Sequence, residues 1–122
     1  MAWKASGKMS LPLTRDGREW DGDAAREAIF KWAGWPDDPQ PAKARQAFFA
    51  YDDAATDEKE SYKLPFATIV SGELKAVPHA IHAVAAVLEG GRGGVDLPRA
   101  VISDIRGKVE KYYAQMDEEA PW

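Results

Sequence analysis

Cysteine is absent from the chain. That excludes disulfide stapling, thiolate catalysis and zinc–thiolate sites together, and it fits a reducing compartment. Histidine is scarce: His79 and His82 are the two, in one short segment. A Ser-His-Asp arrangement has little to draw on, and no serine sits in a nucleophile-elbow context. No apolar run approaches the ~20 residues that span a bilayer. The opening Met1-Ala2-Trp3-Lys4-Ala5-Ser6-Gly7-Lys8 lacks the apolar stretch of a signal peptide. Excess positive charge is missing too, with 16 Lys+Arg against 20 Asp+Glu and a net charge of −4. Counterion release on nucleic acid or anionic lipid needs clustered cations, so a coating protein is disfavoured.

What is present is an ordinary globular balance, 45% hydrophobic and 30% charged. The length supports one core, so residues 1–122 read as a single domain, with 1–8 and 117–122 expected to be flexible. Asp21 is a good N-cap. Ala25, Ala28, Ile29 and Trp32 recur at helical spacing, and Gly34 closes the run, predicting a helix over 22–33. Three prolines between Trp35 and Pro41 force a loop. Pro41 then opens an expected helix over 42–51, with Ala47, Phe48 and Tyr51 inward. Residues 52–61 are acidic and aperiodic, an expected exposed loop. Alternation in 66–70 and 73–77 around Ser71-Gly72 predicts a hairpin, and Met9, Leu11 and Leu13 alternate as an additional strand. Pro78 and Pro98 open helices over 78–89 and 98–116. The expected class is α+β: three to four helices packed on a small antiparallel sheet or hairpin.

Candidate chemistry is sparse. His79 and His82 are spaced to share a helix face, but no third ligand is near and no metalloprotease motif surrounds them, so no metal or cofactor is expected. Asp52, Asp53, Asp57, Glu58 and Glu60 lack the mid-loop glycine of an EF-hand and read as a solvated loop. Gly90-Gly91-Arg92-Gly93-Gly94 invites an anion site through Arg92, Gly93 and Gly94. It follows a helix and lacks Walker spacing, which favours a helix stop and chain reversal with at least one glycine at positive φ. Aromatic rings are many for so short a chain. Most read as core, while Trp35, Phe49 and Trp122 are candidate exposed anchors for a partner.

Several segments together carry a resemblance. They are Tyr62-Lys63-Leu64-Pro65-Phe66, Gly72-Glu73-Leu74-Lys75-Ala76-Val77-Pro78 and Arg92-Gly93-Gly94-Val95-Asp96-Leu97-Pro98, with Tyr112-Tyr113 downstream and Trp20-Asp21-Gly22-Asp23-Ala24-Ala25 and Trp32-Ala33 upstream. Over about residues 11–116 the chain resembles a small module of tailed bacteriophages and prophages found beside, or fused to, the prohead (capsid maturation) protease. One departure is His79, where the module usually carries Arg after Val-Pro.

The resemblance implies a phage origin, a link to head assembly, and residence in the cytoplasm of a bacterial host or on the virion. It brings no catalytic residues, because the protease's serine and histidine motifs are not in this chain. The expected function is a non-enzymatic interaction module that binds another head or assembly protein through an apolar, aromatic patch. Two alternatives stand beside it. One is a ligand- or anion-binding domain or enzyme at Arg92, Gly93, Gly94, His79 and His82. The other is a nucleic-acid contact through Lys43, Arg45, Lys63 and Arg92.

Overall fold

The structure, a computed structural model, describes residues 2–91 and 94–122. Helix α1 (Gly22–Trp32) begins where Asp21 accepts the Ala24 N–H at 3.1 Å, the expected N-cap contact. Pro41 opens a helix as expected, but α2 is a single turn, Pro41–Ala44. The chain then becomes strand β2 (Phe48–Asp52), the centre of a three-stranded antiparallel sheet. Strand β1 (Trp3–Ala5) lies on one side of it and β3 (Tyr62–Pro65) on the other. Strands β4 (Ala67–Val70) and β5 (Glu73–Ala76) form the expected hairpin. Both turn residues have positive φ, Ser71 at 52° and Gly72 at 80°, the signature of the primed turns that match strand twist. Helices α3 (Pro78–Leu88) and α4 (Arg99–Gln115) follow and pack on each other. Among the described residues the architecture is α+β, four α-helices with two small antiparallel sheets.

The expected helix over 42–51 is therefore corrected to one helical turn and a strand. Phe48, Phe49 and Ala50 are all buried, so the segment shows no period-2 alternation, and a continuous apolar run fits a helix stripe equally well. Its two phenylalanines serve different parts of the core. Phe48 lies 5.3 Å from Phe30 and 5.4 Å from Tyr62, centroid to centroid. Phe49 stacks on Phe66 at 3.9 Å and meets Tyr112 edge-on at 6.3 Å. A strand splits neighbouring residues in this way; a helix would not.

Both ends of the chain make contacts with the rest of the fold. β1 pairs with β2 in the register Trp3↔Asp52, Lys4↔Tyr51 and Ala5↔Ala50. Residues 9–13 make no regular strand, yet Leu13 forms a parallel bridge to Ala76 on the edge of β5. Beyond α4, Glu118 N–H donates to the Tyr113 carbonyl at 2.9 Å, and Ala120 packs against the core. The 52–61 loop is pinned as well. Trp35 Nε1 donates to the Asp57 carbonyl at 2.9 Å and the Tyr62 hydroxyl to the Thr56 carbonyl at 2.7 Å. Asp52 is buried, its Oδ1 accepting from the Ala2 and Ala54 amides. Among the described residues no helix is long and apolar enough to cross a membrane.

Candidate functional site

Trp35 and Phe49 are not exposed anchors. Trp35 is 8% exposed and Phe49 fully buried, each inside an aromatic cluster where burying a ring outweighs leaving it in water. Trp122 is exposed, at 37%, with the Arg106 guanidinium 5.2 Å from its ring centroid.

The two histidines sit close, 6.3 Å between ring centroids, but face different surroundings. His82 Nε2 meets Glu118 Oε1 at 2.9 Å and its ring lies 5.7 Å from Tyr113, so it ties α3 to the segment after α4. His79 is exposed at the start of α3. Among the described residues no group of three or more His, Cys, Asp or Glu side chains could hold a metal ion.

Arg92 and Gly93 lie outside the described residues. On either side of them Gly90 has φ 97° and Gly94 φ 76°, angles that a Cβ disfavours. The Gly94 N–H donates to the Gly91 carbonyl at 3.0 Å. Val95 and Leu97 pack against the core while Asp96 stays exposed. The remaining basic candidates sit on rings: Lys43 Nζ is 5.1 Å from the Trp32 centroid, the Arg45 guanidinium 5.2 Å from Tyr51 and Lys63 Nζ 4.6 Å from Trp3.

A concave surface with an apolar floor lies elsewhere, around a residue that spacing arguments did not single out. Trp20 is half-buried between the start of α1, β3 and α3. Together with Leu64, Pro65, Ala83, Val84 and Val87 it lines a groove of about 250 Å³ that is open to solvent. A wider polar recess of about 660 Å³ adjoins it, lined by Asp21, Asp23 and His79 beside the same tryptophan. Trp20 directly precedes the N-cap, a position from which an apolar side chain usually packs on the fourth helical residue. Here that residue is Ala25, which offers the indole little surface. A large ring before an N-cap with alanine four residues into the helix was the available signal.

Leu64 marks the same groove. Its φ is 62°, a left-handed angle for a residue with a Cβ, inside a strand. The β2–β3 register passes from Phe48↔Pro65 to Ala50↔Lys63 and leaves it out of the ladder. Arg26 closes one side. Its guanidinium donates to the Tyr62 carbonyl at 2.9 Å and the Lys59 carbonyl at 3.0 Å, and lies 5.3 Å from the Phe30 ring centroid. Burial holds its pKa below the usual arginine value, with Asp23 and Glu60 pulling the other way. Next to the groove, Arg18 Nη2 reaches Asp16 Oδ2 at 2.6 Å, and that hydrogen-bonded guanidinium lowers the Asp16 carboxyl to about 2.

The groove can seat an apolar side chain, and the recess can hold polar or charged groups beside it. No family model, no curated protein and no solved structure matches this chain.

Proposed function

We propose that this chain is a non-enzymatic protein-interaction module of phage origin, linked to head assembly, which receives a partner protein at the Trp20 groove. The link to phage heads rests on the resemblance carried by residues 62–66, 72–78 and 92–98. The docking role rests on one observation: a half-buried tryptophan beside an apolar floor, open to solvent and rimmed by polar groups. An apolar floor with a polar rim is the usual anatomy of a protein contact site. The groove itself, about 250 Å³, has room for one or two side chains of another protein.

The test is co-expression with tailed-phage head proteins: capsid, scaffold and prohead protease. One of them is expected to co-purify with the wild-type chain and to be lost with Trp20→Ala, while circular dichroism shows the variant folded. Absence of every head protein from the purified material, or capture that survives both Trp20→Ala and Val87→Asp, overturns the proposal.

A further inference from the structure

We infer that the occupant of the Trp20 groove is a basic segment of a partner protein, seated by one apolar side chain with a lysine or arginine beside it. The inference rests on the docking reading above and adds the chemistry of the partner.

Charge on the rim carries it. Glu19, Asp21 and Asp23 are all exposed and line the groove or the recesses that meet it at Trp20. None of the three makes an ion pair among the described residues. Asp21 uses one oxygen as the N-cap of α1 and leaves the other to solvent. The nearby cations are committed elsewhere, Arg18 to Asp16 and Arg26 to two backbone carbonyls. Three carboxylates therefore stand against one guanidinium, Arg26, which Asp23 attracts without forming an ion pair, and the rim keeps an excess of negative charge. A nucleic acid or an anionic membrane is repelled by such a rim. A neutral or acidic segment would leave the carboxylates uncompensated. A lysine or arginine is steered toward them and also finds the Trp20 ring face.

Leu64 supports a built site. A non-glycine residue at left-handed φ is strained, and such strain gathers at ligand-contacting positions. Here the strained residue lines the groove and contributes no ladder pair.

The experiment is selection from a random dodecapeptide display library, with wild-type chain and Trp20→Ala as parallel baits. Peptides enriched on the wild type and not on Trp20→Ala are expected to carry Lys or Arg within a few residues of Leu, Phe, Ile or Trp. A selected peptide, made synthetically, should lose affinity about ten-fold toward Glu19→Gln/Asp21→Asn/Asp23→Asn, because rim charges set steering and register. Asparagine keeps the N-cap, so that variant stays folded. The same loss should follow on raising salt to roughly 1 M, where the Debye length is about 3 Å. Enrichment of neutral or acidic peptides that still need Trp20, or affinity indifferent to the amide variant and to salt, overturns the basic occupant and leaves the groove standing. Failure of every peptide to discriminate wild type from Trp20→Ala overturns the groove and this inference with it.

Discussion

Leu64 is the residue on which the groove turns. Its neighbours Lys63 and Pro65 pair normally with β2, and only Leu64, at φ 62°, steps out of the ladder. Glycine at this position relieves the backbone but removes an apolar wall; valine keeps an apolar wall but is stiffer against its own backbone. Leu64→Val is therefore expected to be less stable than Leu64→Gly by about 1–2 kcal/mol, the range set by the left-handed penalty. Urea unfolding of the two variants checks this, and equal midpoints would mean that the strain is absent in solution. Trp20 shows how a residue can matter without periodicity. It belongs to no element, so no stripe or alternation could mark it, and only the smallness of Ala25 hinted that its ring lacked cover.

Among elements, what was legible follows from which faces are buried. α1, α3 and α4 each have one apolar face and one wet face, and their bounds fall within a residue or two of those expected from caps and prolines. The β4–β5 hairpin was legible from alternation and Ser71-Gly72. β2 was not, because burial on both sides erases the period, and β1 was not, because three residues carry too little pattern. The aromatic character of Phe48, Phe49 and Tyr51 was the usable hint, since rings favour strands over helix interiors. The expected anchors Trp35 and Phe49 failed for a related reason: a count of rings does not say which are inward. The hairpin allows a direct test. Asparagine accepts left-handed φ better than serine, so Ser71→Asn should stabilise the fold by about 0.5 kcal/mol. That corresponds to a rise of roughly 2 °C in Tm by calorimetry. No rise, or a fall, would mean that the turn is not of the primed type in solution.

For the whole molecule, two tyrosines far apart in sequence make stability depend on alkali. Burial pushes both Tyr62 and Tyr112 up to about 12, from an ordinary value of 10.0. Below pH 10 both phenols keep their protons folded or unfolded, and their contribution is constant. Above it the unfolded chain loses those protons first, so stability falls as pH rises from about 10 toward 12. Denaturant midpoints should be level up to pH 10 and drop beyond it. Phenolate absorbance, read against Tyr62→Phe and Tyr112→Phe, should show these two phenols ionising only as the chain unfolds. Both ionising near pH 10 with the fold intact would contradict their burial.

The same Tyr112 reaches across the length of the chain. Its hydroxyl donates to the Lys8 carbonyl and accepts the Leu11 amide at 3.2 Å, a span of 101 residues, while Lys108 Nζ and Gln115 Nε2 hold the carbonyls of Gly7 and Met9. A ribosome delivers these partners at opposite ends of its work. β1 leaves the exit tunnel first and waits for β2, and the stretch from Gly7 to Leu11 waits for α4. Until α4 emerges, the Phe49–Phe66 stack lacks Tyr112 as its cover. Every residue of the Trp20 groove, by contrast, precedes α4 in the chain. The nascent polypeptide thus releases the residues of the groove before the element that seals its core, and nascent-chain folding should be seen to complete only once α4 has cleared the tunnel.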